Sequence, residues 1–345
     1  MHPRGELHTA KALELNVVDK KVAQEYDTLL ATTGGRVGAY HVDGLLDRGT
    51  MGLTVKATHF DGTRVVIKLI SRGPAVNSYW HTIDRMVRCQ QALTHPHIVR
   101  LVEVFVAKNY LAIVSEFVEG DSVSDYLDSP GFRTPARCRA FFQQLIMAIE
   151  YCHSRGIAIR SLKSDALLLD VGADGSPSLK ISYFGYAKHD NSVARTIATP
   201  LLYIAPEVLG YGEYDVKAAD MWSCGAILCD MFTGSTPNLA RTNWNINAVL
   251  PQLDIPQEAK NILARLMIHD PTERATATQI LQEPWITQGL STGVMQMNDI
   301  ARQNSPQQLD MDAFRLDLET KLTEASVPAP AQVQRGQRSR DRRFV

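Results

Sequence analysis

Two glycines, Gly49 and Gly52 in DRGTMG, stand upstream of a lysine, Lys68, set in the apolar run RVVIKLI. Glycines let a backbone approach an anion closely, and an ammonium is a compact donor to phosphate oxygens. A second stretch, RGIAIRSLKSDALLL at 155–169, carries Arg160, Lys163 and Asp165, with Asp170 just beyond. Carboxylates are the hard oxygen ligands that Mg²⁺ takes. Ser161 and Ala166 sit among these charged residues and bring no charge of their own. The five cysteines (Cys89, Cys138, Cys152, Cys224, Cys229) include no CxxC pair or other metal spacing. We expect no metal site, and free, mostly buried thiols in a reducing cytosol.

Elements must hold these residues in place. Leu15, Val18, Val22, Tyr26 and Leu29 recur at three- and four-residue spacing, which predicts an amphipathic helix ending near TTGG at 32–35. The stretch 40–115 reads as strand-rich, with FDGT as a hairpin turn and one helix around 77–93. From about 121 helical patterns dominate. ARCRAFFQQLIMAIEYCHSRG predicts a long helix, and DMWSCGAILCDMF is apolar nearly all round, as a buried core helix would be. After Trp285 the pattern weakens. Residues 287–308 read as a polar linker. Met311, Phe314, Leu318 and Leu322 then form one stripe of a helix over 309–325, and the basic residues of 326–345 predict a disordered tail.

The 345 residues carry a formal net charge of -1, so the whole chain has no drive toward nucleic acid or an anionic membrane. No apolar run approaches the roughly 18 residues of a spanning helix, and the N-terminal residues lack the apolar core of a signal peptide. The expected location is cytoplasmic, with the nucleus as an alternative.

From about Tyr40 to Ile286 a set of landmarks comes in order: DRGTMG, VVIK, HPHIVRL, IRSLKSDALLLD, YFG, APEVL, ADMWSCGAIL and DPTERATATQILQEPWI. In this order the chain resembles a eukaryotic protein kinase, and most of all the calcium/calmodulin- and AMP-dependent serine/threonine group. The resemblance implies an α+β, two-lobed protein-kinase-like fold. A small antiparallel β lobe with its C-helix would span about 40–117, and a large, mainly α-helical lobe about 118–286. Residues 1–39 would be an N-terminal extension.

The resemblance also assigns positions. Glu207 and Arg274 match the family's ion pair of the helical lobe. Asp220 matches the aspartate that ties down the catalytic-loop backbone, and Phe184 keeps the phenylalanine of the metal-binding triplet. The chemical positions are changed. Ser161 stands at the base, where a hydroxyl cannot take a proton as a carboxylate does. Ala166 and Tyr183 stand at the two metal ligands. Lys68 matches the phosphate lysine, but its C-helix partner position is Met86, with Asp84 on another face. Glu103 and Glu116 are alternative partners. Gly49 and Gly52 remain in the glycine loop, while Asp47 replaces its first glycine. Val66, Ser115 and Leu168 belong to the nucleotide pocket, where Thr54 and Ser122 also depart from the family. The regulatory stack contains Ile159 and the polar Gln90, which needs a partner or a displaced helix. Arg160, Thr196 and Thr199 are regulatory candidates, and ATPLLYIAPE has one residue more than the family pattern.

These losses predict a pseudokinase: a scaffold or allosteric regulator of a protein partner, an active kinase or its substrate. It would need no cofactor, ATP binding being weak or Mg-independent. A weak serine/threonine kinase and a metal-independent nucleotide-gated switch are the alternatives.

Overall fold

In a computed structural model, the described residues are 20–303 apart from 50, 72–73, 108–109, 130, 172–176, 190–192, 195–200, 211 and 237–238. A second unit, Asp310–Val345, lies outside them, and with it the stripe from Met311 to Leu322 and the tail. Leu15 and Val18 also lie outside.

The period read from Val22, Tyr26 and Leu29 is realised as α1, Lys20–Thr33. Six strands follow as one antiparallel sheet: β1 Arg36–Val37, β2 Tyr40–Gly49, β3 Gly52–His59, β4 Arg64–Ser71, β5 Leu101–Val106 and β6 Tyr110–Glu116. Their spatial order is β1-β2-β3-β4-β6-β5. Alternation sets the faces. Val55, Ala57, Val65, Ile67, Ala112 and Val114 form one buried cluster with Leu29, and Val22, Tyr26 and Leu30 of α1 pack against it. The N-terminal helix is therefore part of the β lobe. Leu29 is fully buried, which contributes about 1.5–3 kcal/mol. The alternate positions Thr54, Val66, Lys68 and Ser115 belong to the opposite face, where Thr54 pairs with Lys68 and Val66 with Ser115. The C-helix, α2 Pro74–Gln91, packs on β4 and β5. It keeps the buried Gln90 by a bond from its Nε2 to the Val99 carbonyl, 3.0 Å.

The second lobe is built on α4 Pro135–Ser154, preceded by the short α3 Val123–Tyr126. The hairpin of β7 Leu167–Val171 and β8 Pro177–Ile181 carries the site loops. The core helix α5 Val216–Thr233 is buried on nearly every side and is capped by Asp215, which accepts from the amides of Lys217 and Ala218. Then come α6 Gln257–Leu266, α7 Ala277–Leu281 and α8 Pro284–Thr287. All five cysteines are buried, and none is in a disulfide among the described residues. No described helix is long and apolar enough to cross a membrane.

The linker expected over 287–308 needs correction for its described part. Residues Thr292–Met295 and Met297–Gln303 form α9 and α10, and α10 packs on α4. A polar residue anchors it. The buried Asn298 donates to the Met147 carbonyl, 3.0 Å, and to Glu150, and its Oδ1 meets His95 Nε2 at 3.0 Å. Arg302 pairs with Glu150 at 2.6 Å. The polar composition that suggested a linker here satisfies buried groups instead.

Candidate functional site

The loop at 157–166 is held from below. Asp220, buried in α5, accepts the amides of Ile159 and Arg160, both at 2.7 Å, and meets His153 Nε2 at 3.0 Å. Arg160 takes a left-handed backbone, φ 63°, a conformation a non-glycine residue holds only when its surroundings dictate it. Two amides fixed on one carboxylate do that. Glu207 and Arg274 form a bidentate pair at 2.6 and 2.9 Å, with the Arg274 side chain fully buried. Arg274 also donates to the Ala218 and Ile268 carbonyls. The Glu207 and Arg274 positions thus meet, as does Asp220 with the loop.

A further buried carboxylate escaped the sequence reading. Asp230 of α5 accepts from Ser164 at 2.6 Å, from Tyr203 at 2.5 Å and from Thr236. It ties the loop at Ser164 to Tyr203 and Thr236. Burial, with the Asp230 bond, pushes the Tyr203 phenol up to about 12. No motif marks this cluster. The one signal was a second aspartate, after Asp220, inside a largely apolar helix, which must find partners when buried.

The cleft above this frame is rebuilt. Lys68 projects from β4, and its Nζ lies 5.7 Å from the centre of the Tyr183 ring. No carboxylate forms an ion pair with it among the described residues. Met86 is buried, and Asp84 is paired with Arg88 one turn on, at 2.8 Å. Glu103 accepts from Tyr40, and Glu116 holds Lys180 at 2.7 Å, so neither alternative partner serves Lys68. Burial lowers the Lys68 pKa, and the Asp47 charge opposes that shift. The Tyr183 phenol is raised, chiefly by burial and then by Tyr186 and Asp47. Its ring is bent back along its own loop: a Cβ added at Gly185 would stand 2.5 Å from the Tyr183 hydroxyl. Phe184 is fully buried beside it.

Do these residues fit a magnesium nucleotide? Ala166 is buried, and its carbonyl already accepts the Ser182 amide at 2.9 Å. Asp165 is exposed and paired with Lys163 at 3.1 Å. Asp170 lies along β7, opposite Ser178. Ser161 is buried, and among the described residues its hydroxyl reaches the Ile159 carbonyl, at 3.4 Å. No group of three or more His, Cys, Asp or Glu able to hold a metal occurs among the described residues. A neutral phenol and a methyl group do not replace two hard oxygen ligands. The residues present do not fit the metal.

The positions expected to line a nucleotide are more ordinary. Val66, Ser115 and Leu168 are each half-buried, with Leu168 bridged to Ser122. Ser122 is the cap of α3, in a capping box with Asp125. In the glycine loop Gly49 pairs directly with Gly52, and Asp47 falls opposite Thr54 after a register shift. Gly52 has φ 153°, and an added Cβ would meet the Leu69 carbonyl at 2.0 Å. The turn is therefore pressed onto β4, with Met51 buried rather than exposed at the tip. Arg160 is buried and donates to the Tyr214 hydroxyl at 3.1 Å. Thr196 and Thr199 lie outside the described residues.

Comparison with known proteins gives the family. A family model described as "Protein kinase domain" matches residues 40–286. Serine/threonine-protein kinase SRK2G of Arabidopsis thaliana is 34% identical over 302 residues, 83% of this chain and 84% of the relative. Serine/threonine-protein kinase SAPK9 of Oryza sativa subsp. japonica is 33% identical, covering 78% and 76%. Serine/threonine-protein kinase SAPK2 of Oryza sativa subsp. indica is 36% identical, covering 70% and 75%. With an antiparallel β lobe, a helical lobe and this match across both, the chain belongs to the protein kinase domain family.

Proposed function

We propose that this member of the family works as a binding and regulatory scaffold, and that phosphoryl transfer through a magnesium nucleotide is lost. The observation that carries this reading is the Tyr183 phenol, stacked near Lys68 at a metal-ligand position. Ala166 and Ser161 remove the second ligand and the base. Phosphoryl transfer depends on positioning and charge neutralisation. Losing one stabilising group typically costs about 2.7–4 kcal/mol of barrier, and here three are gone together. The intact frame around Asp220 and Arg274 supports a shape kept for binding. The partner class we assign is a protein, an active kinase or its substrate. Within the family we place the chain with the calcium/calmodulin- and AMP-dependent group, on the motifs quoted above.

A second reading is favoured by the relatives, each of which is named a serine/threonine-protein kinase. The half-buried Val66, Ser115 and Leu168 would also accept a nucleotide base without a metal. One experiment separates the readings. Transfer of labelled phosphate from ATP to a generic peptide is measured alongside a thermal-shift titration with ATP, in Mg²⁺ and in EDTA. A scaffold gives no transfer, and any shift is the same with and without the metal. Turnover abolished by Lys68→Ala would establish the enzyme. The double change Tyr183→Asp, Ala166→Asn should make nucleotide binding Mg-dependent.

A further inference from the structure

A cavity of about 680 Å³ opens behind the segment that joins the two lobes. Lys68, Tyr183, Val66, Ser115 and Leu168 do not line it. Its apolar walls come from two separate parts of the chain: Ile98, just after the C-helix, and Val294, Met297 and Ala301 of α9 and α10. Its polar groups converge from three further positions, Arg100, Glu116 at the end of β6, and Lys180 in β8. The volume lies in the range of small-molecule sites, and an apolar wall with a few placed charges is their usual construction.

The charges do not cancel. Glu116 is engaged by Lys180, 2.7 Å from Nζ to Oε1, and the same oxygen accepts the Arg100 amide at 3.2 Å. Among the described residues the Arg100 guanidinium has one loose contact, 4.0 Å to Glu116, and its side chain is 57% exposed. Two cations thus share one carboxylate. His95, also in the wall, adds no charge near neutral pH: its Nε2 is occupied by Asn298, and burial pushes its pKa down to about 4. A free inorganic anion would use the surplus charge and leave the apolar wall wet. A neutral apolar molecule would fill the wall and leave Arg100 unused.

We infer that this cavity is a binding site for a small organic anion with an apolar body and a single carboxylate, the carboxylate on Arg100 and the body against Val294, Met297 and Ala301. Such a ligand would bridge α9 and α10 to the strands β6 and β8, and so clamp the C-terminal helices to the joint between the lobes. The site is independent of what happens in the Lys68 cleft.

The test uses the full chain and two probes that differ in charge, 2-naphthoate and 2-naphthalenemethanol, titrated by calorimetry. The acid should bind saturably and at least tenfold more tightly than the alcohol. Arg100→Gln, at an exposed position, should remove that preference while leaving alcohol binding unchanged. Ile300→Asp, which sets a like charge on the half-exposed rim, should weaken the acid by a similar factor. Excess ATP should not displace it. The inference is overturned by absence of saturable binding up to millimolar probe, by equal affinity for acid and alcohol, by an Arg100→Gln protein that binds like the parent, or by displacement with ATP.

Discussion

The floor of the site and its roof have been treated in opposite ways. The floor keeps a buried aspartate on two loop amides and a bidentate ion pair whose arginine is fully buried. The roof has a lysine with an aromatic ring in place of a carboxylate, and a glycine turn pressed onto its neighbouring strand. The floor groups are costly to lose because they are buried and mutually satisfied. The roof groups Lys68 and Tyr183 are each only half-buried, so less of the fold's stability rests on them. A fold can therefore shed the second set while the first holds its shape.

That contrast can be broken or sharpened by measurement. The largest effect is expected on the floor. Arg274→Ala leaves Glu207 half-buried without its partner and should cost about 3–5 kcal/mol of unfolding free energy. Urea denaturation that finds under 1 kcal/mol would erase the distinction between floor and roof. Leu29→Ala should cost about 2–5 kcal/mol, because α1 is built into the β lobe. Retention of the full midpoint by that variant would mean the helix is dispensable.

Next comes pH. Burial holds His95 and His97 neutral, each with its pKa pushed down to about 4. The unfolded chain protonates them near 6.5, so their neutral forms stabilise the fold above that pH. That contribution is lost as pH falls from about 6.5 toward 4, by up to about 1.4 kcal/mol per unit for each histidine. The slope of stability against pH should be shallower in His97→Asn; an unchanged slope would remove His97 from the account. The smallest effect belongs to the roof. Tyr183→Leu should shift stability by no more than about 1 kcal/mol, the scale of a cation–π contact. A loss comparable to that of Arg274→Ala would show that the phenol is structural.

The parts legible in the sequence were those whose meaning lies in order and spacing. Asp220, Glu207 and Arg274 could be matched because the landmarks around them keep their intervals, and α1 because Val22, Tyr26 and Leu29 keep a helical period. The substitutions Ser161, Ala166 and Tyr183 were equally plain. Where the phenol goes was not, because that depends on a side-chain torsion and on the space left by Gly185. The Asp230 cluster was hidden because its partners are hydroxyls far apart in the chain. Asn298 was hidden because a polar residue in a weakly patterned stretch looks solvated until its neighbours are known.

Asn298 has a practical corollary. The family match stops at Ile286, and a gene fragment cut there would strip α10 away. Glu150 and His95 would then face water or each other without the amide that links them, and the surface of α4 beneath α10 would be bare. A recombinant domain trimmed to the family boundary should come out of cells poorly, while one carried on to Gln303 should not, so the shortest piece that expresses as a well-behaved protein is set by an asparagine beyond the last family motif.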